Sequence, residues 1–271
     1  MSAVKFLRLA SIAILSTIFG ASLLAGQFIP YSYSTQFREM PNASPSAKHL
    51  LGTDPLGRDL LTRLLYGTRV SLLLAPAAAL VATLIAGIFG AFAGLYGGWP
   101  QRIILAAADL SMALPLLFVL LTLRALLPLD ISPALSISCT FLLLGLLGWA
   151  SSLRVVWASA RNLRESDFLL MARATGCSST RTVFKHVLPN LRPVLFAQFW
   201  ISIPVFILAE ATLSMLGLGV MEPLPSWGNL LRGLEDLPAV SANPWRLAPL
   251  FAVCLVVICF HMILSAQEDA A

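Results

Sequence analysis

Residues 71–96 read SLLLAPAAALVATLIAGIFGAFAGLY. No charged side chain interrupts them, and they exceed the roughly 20 apolar residues that carry a helix across a bilayer. The apolar positions run on without alternation, so the stretch is not a strand of a membrane barrel. Lipid offers the backbone no hydrogen-bond partner, and a helix satisfies its own. The stretch therefore predicts a membrane-spanning helix.

Working outward, five more runs have the same character, at about 9–29, 103–123, 135–157, 194–219 and 247–266. Together they predict an all-α polytopic membrane protein with about six transmembrane helices. Composition agrees: 58% of the 271 residues are hydrophobic and 11% are charged, where a soluble domain carries about 25% charged residues. The first run follows Lys5 and Arg8 and contains ASLLAG at 21–26, which has the look of a signal peptide. Its apolar stretch is longer than a usual signal core, so a retained first helix is expected. Pro115, Pro204 and Pro249 fall inside apolar runs, where neighbouring helices tolerate the bend that a proline imposes.

Charge gives the orientation. The net charge is +5, and seven of the eighteen basic residues lie between 154 and 192: Arg154, Arg161, Arg164, Arg173, Arg181, Lys185 and Arg192. Only Glu165 and Asp167 oppose them there. Basic residues between apolar runs follow the positive-inside rule and do not point to nucleic acid. The loop 158–193 is thus expected at the cytoplasmic face, with loop 97–102 and both termini. The opposite loop, 30–70, carries Arg38, Lys48, Arg58, Arg63 and Arg69 against Glu39, Asp54 and Asp59, and its acids are expected to pair with some of these.

Several chemistries lack their residues. No GxxxxGK[ST] sequence occurs, so no P-loop for ATP is predicted. His49, His186 and His261 are scattered, no HExxH is present, and Cys139, Cys177, Cys254 and Cys259 have no CxxC spacing. The expectation is a chain that is not an enzyme by itself and binds no cofactor or metal. Two acids within apolar runs, Asp109 and Glu210, are candidate pathway residues, since intramembrane charges face a cavity or a partner. For Glu210 the blander reading is an ion pair such as one with Arg124, or a position near the outer surface.

The basic loop has its own local structure. Residues 165–175 are good helix formers, and Gly176 suits a helix end. Ser178, Ser179 or Thr180 is expected to cap a second helix, with Val183, Phe184 and Val187 on its apolar face and Leu188-Pro189 as its stop. Its Ala172-Arg173-Ala174-Thr175-Gly176, followed thirteen residues after the glycine by Pro189, resembles the EAA loop of ABC importer permeases. The family glutamate falls on Leu170 and its first alanine on Met171. HLLGTDPLGRDLLTRLLYGTRVSLLLA (49–75) and EATLSMLGLGVMEPLPSWGNLL (210–231) resemble segments of dipeptide, oligopeptide and nickel permeases, in the family's order. The ending SAQEDAA departs from the family pattern.

The resemblance implies a type I (MetI-like) permease fold in a bacterial inner membrane. It implies an N-terminal helix and outer loop over 1–70, and a permease core over 71–271 whose loop 158–193 couples to a cytoplasmic ATPase. The coupling residues would be Leu170, Met171, Ala172, Arg173, Ala174, Thr175, Gly176, Leu188 and Pro189. The implied partners are ATPase subunits that use the ATP, a homologous second permease in a heterodimer, an extracytoplasmic substrate-binding protein and the lipid bilayer. The implied cargo is peptide, with nickel or another small solute open. Local readings stand beside it. GTDPLGRD is a turn with Asp54 and Asp59 as caps or ion-pair partners. LGLG (216–219) is a flexible helix end, and PSWGNLL an interfacial anchor through Trp227. A self-contained secondary transporter or channel is the alternative class. It predicts repeated halves or several intramembrane coupling charges, neither of which is evident.

Overall fold

The computed structural model describes residues 3–126, 132–167, 169, 171, 181 and 183–268. The longer helices are α1 (Ala3–Phe28), α2 (Leu60–Tyr96), α3 (Gly98–Ala113), α4 (Leu116–Ala125), α5 (Pro133–Leu147) and α6 (Ala150–Arg164). A π-helical turn, Val183–Val187, then runs into α7 (Leu188–Met215). Two short helices, α8 (Trp227–Arg232) and α9 (Leu237–Ala242), and a 3-10 turn, Pro244–Leu247, lead to α10 (Ala248–Glu268). Five helical segments are long and apolar enough to cross a membrane, and the pair α3–α4 makes a sixth if it counts as one span.

That pair corrects the expectation of a continuous third span at 103–123. The two helices meet at a bend of 79°. Leu114 takes an extended conformation, φ −82° and ψ 126°, because the ring of Pro115 clashes with a helical residue before it. Pro249 causes no such break. It lies in the first turn of α10, where a missing N–H costs nothing. The second span also starts earlier than expected, at Leu60 in place of 71. Asp59 accounts for the start: its Oδ1 accepts from the Thr62 backbone N–H (2.7 Å) and from the Thr62 hydroxyl (2.7 Å).

The described chain forms two compact units. One comprises Met1–Ala75, Leu123–Phe141 and Pro204–Ala271; in it α1 packs along α10, and α8 also rests on α10. The other comprises Pro76–Thr122 and Leu142–Ile203. Here α3 packs on α6, and small residues let backbones approach. A Cβ added at Gly94 would stand 2.6 Å from the Ala160 methyl, and one at Gly145 would stand 2.8 Å from the Ala78 carbonyl oxygen. Ala78, Ala79, Ala82, Ala86 and Ala93 of α2 are all buried at helical spacing. With lipid as solvent, close packing of this kind replaces hydrophobic exclusion as the cohesive force.

Candidate functional site

The basic loop begins where α6 ends. Glu165 caps that helix end and meets Arg161 (3.5 Å) and Arg164 (3.4 Å) in exposed pairs. Asp167, Leu169 and Met171 are helical, whereas Glu165 and Ser166, read as the start of a helix over 165–175, form the turn that ends α6. Leu169 is fully buried in a cluster with Leu95, Val156, Ala160, Val187 and Leu191. Met171 is 69% exposed. Leu170, Ala172, Arg173, Ala174, Thr175 and Gly176 lie outside the described residues, as do Ser178, Ser179 and Thr180. Val183 and Val187 face the same cluster, which agrees with the apolar face assigned to them.

Leu188-Pro189 does not stop a helix, contrary to expectation. The π-helical turn passes directly into α7, and Pro189 sits in the first α-helical turn. The wider π-helical turn just before Pro189 takes up its ring and missing N–H, so the chain continues without a break.

Asp109 of α3 pairs with Arg154 of α6. Both side chains are about half exposed; α3 is largely apolar, whereas α6 is amphipathic with a polar face. A charged pair on such a surface requires a neighbour other than hydrocarbon.

Glu210 differs in every respect. It is fully buried on α7. Its Oε1 accepts from the hydroxyls of Ser214 (2.7 Å) and Ser226 (2.8 Å), and the Gly228 backbone N–H also serves the carboxylate. It makes no pair with Arg124, and no part of it is exposed. Arg124 instead donates to the carbonyl oxygens of Leu218 (3.1 Å) and Gly219 (3.3 Å), and to Ser136. The LGLG segment is thereby clamped, not loose. Gly217 takes φ +81° to end the helix, and Gly219 packs against Ser214.

Ser226 also starts α8, through a reciprocal capping box with Asn229. Trp227 beside it is fully buried, and its indole N–H donates to Thr68 Oγ1 (3.0 Å). It is no headgroup anchor. A Cβ at Gly228 would stand 2.5 Å from the Ser214 Cβ, so only glycine fits between α8 and α7.

The segment 49–63 folds against the same region. Asp54 Oδ1 accepts the N–H groups of Leu56 and Arg58 (both 2.9 Å), and Asp54 Oδ2 accepts from Arg58 Nε (2.7 Å). Gly52 and Gly57 take φ +70° and +73°, and a side chain on either would meet backbone carbonyls of 37–43. Asp59 reaches His49 (2.9 Å). Glu222 bridges Arg58 (2.6 Å) and Arg63 (2.9 Å). The turn and ion-pair reading of GTDPLGRD therefore holds, and Asp54 of the loop 30–70 does pair with two of its basic residues. Sequence reasoning missed Glu222, and it gave Arg124 the wrong partner. The signal for Glu222 lay in the motif carrying it, MEPLPSW, where an acid precedes a proline-rich turn, but nothing local names its partners. Among the described residues no group of His, Cys, Asp and Glu could hold a metal ion.

Comparison with known proteins sets these features in a family. Residues 83–269 match the binding-protein-dependent transport system inner membrane component. The oligopeptide transport system permease protein OppC of Bacillus subtilis is 31% identical, over 97% of this chain and 84% of the relative. The dipeptide transport system permease protein DppC of the same organism is 32% identical, over 97% and 81%. The oligopeptide permease OppC of Mycobacterium tuberculosis is 33% identical, over 98% and 91%. With near-complete coverage and multiple apolar spans, the chain belongs to the family of binding-protein-dependent transport system inner membrane components, the multi-pass membrane part of ATP-binding-cassette importers.

Proposed function

We propose that this chain forms half of the transmembrane pathway of a peptide importer. An extracytoplasmic binding protein delivers the cargo, and ATP is hydrolysed on separate subunits that dock on the loop 158–193. The observation that carries the coupling role is the burial of Leu169 among Val156, Ala160, Val187 and Leu191. That cluster ties the loop to α6 before it and α7 after it, so a push on the loop is passed to both helices. Peptide is the cargo because the relatives are oligopeptide and dipeptide permeases.

Of the two acids proposed for the pathway, Asp109 is the better supported. Its half-exposed pair with Arg154 suits a water-lined wall, and a homologous second permease supplies the opposite wall. Glu210 is reassigned to structure, since its carboxylate is enclosed. The N-terminus and the basic loop lie in the cytoplasm under the positive-inside rule.

The test is reconstitution. The chain should co-purify with a P-loop ATPase and a second permease, and the complex in vesicles should import a short peptide only with ATP and the binding protein. Peptide uptake by this chain alone, without an ATPase, would replace this reading with a self-contained carrier.

A further inference from the structure

One cation stands apart from the ion pairs around 49–63. Arg246 lies on the 3-10 turn before α10 and is only 6% exposed. Its Nη1 is buried without a hydrogen-bond partner. Among the described residues, neither a carboxylate nor any side-chain acceptor is assigned to its guanidinium. The other arginines nearby differ: Arg58 and Arg63 are matched by Asp54 and Glu222. A guanidinium taken out of water without a counter-charge is strongly disfavoured. A bound anion removes that penalty.

Arg246 lines a cavity of about 270 Å³. The matched pairs Arg58–Asp54 and Arg63–Glu222 contribute no net charge to its wall, so Arg246 and the exposed Arg232 leave it two positive charges in excess. Leu56, Leu60, Leu230 and Leu234 give the rest of the wall an apolar character. A planar carboxylate suits a guanidinium fork, and an apolar side chain beside it suits the leucines. A small inorganic anion would leave that apolar wall unused.

We infer that this cavity binds a carboxylate, and that its source is the free C-terminal carboxylate of the transported peptide, with the terminal side chain against the leucine wall. The inference rests on the peptide-importer reading above and gives it a contact. An acidic side chain of the docked binding protein is the other source of the same chemistry.

The experiment uses the assembled permease–ATPase complex in nanodiscs without binding protein. Calorimetry measures binding of sodium acetate, of a trialanine peptide and of trialanine amide. Trialanine should bind, its amide should bind at least 10-fold more weakly, and acetate should compete with trialanine. Arg246→Gln should weaken trialanine at least 10-fold while the complex stays monodisperse, and Arg246→Lys should restore part of the affinity. Equal binding of acid and amide, or unchanged binding in Arg246→Gln, overturns the inference. A separate titration adds the binding protein to both forms: its loss of association in Arg246→Gln, with no peptide affinity in the wild type, also overturns the inference and assigns the carboxylate to the binding protein. Uptake of trialanine by the complete system is measured in parallel. Failure of the transport reading registers as absent uptake, and failure of the present inference as an unaltered peptide affinity on substitution of Arg246.

Discussion

Glu210 shows how burial decides the role of an ionisable side chain. An acid two-thirds of the way along an apolar helix suggests a transport pathway, yet its oxygen Oε1 holds two serine hydroxyls and the approach of α8. Removing it strands donors that have no water to turn to. Each buried group left unsatisfied costs about 1–3 kcal/mol. Glu210→Ala is therefore expected to lower the unfolding temperature of the purified complex, with uptake falling only in step with the folded fraction. Glu210→Gln keeps an acceptor oxygen and should do less harm. A fully stable Glu210→Ala protein that no longer transports would return Glu210 to the pathway.

At the scale of the element, the loop 158–193 needs two things from its sequence: an anchor and a docking face. Leu169 is the anchor. Truncating a buried leucine to alanine costs about 2–5 kcal/mol, and here that loss falls on the joint between the loop and α6–α7. Leu169→Ala should leave ATPase association measurable while reducing the stimulation of hydrolysis by loaded binding protein. The proposed face is the small-residue stretch Ala172–Gly176. Ala172→Trp or Gly176→Val should weaken ATPase co-purification without loss of membrane insertion. Normal association and normal uptake in both variants would reduce the loop to a basic anchor. Sequence periodicity reached this element through its amphipathic spacing, but it misplaced the end at Pro189. A proline reads as a stop, yet here the π-helical turn before it lets the helix run on.

For the whole molecule, the orientation is the property most open to a direct check. In a variant without native cysteines, a thiol at the exposed Ser44 should react with an impermeant reagent added outside, and one at Ser179 should not. The reverse pattern would invert the protein. The ion pair Asp109–Arg154 belongs to this scale too, because the partner surface proposed for it is another subunit. Asp109→Arg should lower uptake, and adding Arg154→Asp should restore much of it. Restoration of folding without uptake would make the pair structural.

The membrane class, most of the spans and the basic loop were legible in residues 1–271 alone, because lipid imposes a single rule on the backbone and reads it over every apolar run; the start of α2 at Leu60 and the break before Pro115 were not. Local chemistry also showed where Asp54 and Asp59 make turns and caps, since their partners lie within a few residues. What only the tertiary structure decided are the contacts between distant motifs. GTDPLGRD and MEPLPSW meet through Glu222, Arg58 and Arg63; Trp227 finds Thr68; Arg124 holds the LGLG carbonyls. It also separated Asp109, half exposed, from Glu210, enclosed, although both are acids in apolar helices. The reason is physical. Hydropathy depends on the residue and its near neighbours, whereas the state of a charge depends on which atoms the fold brings within about 3 Å of it, and whether water is among them.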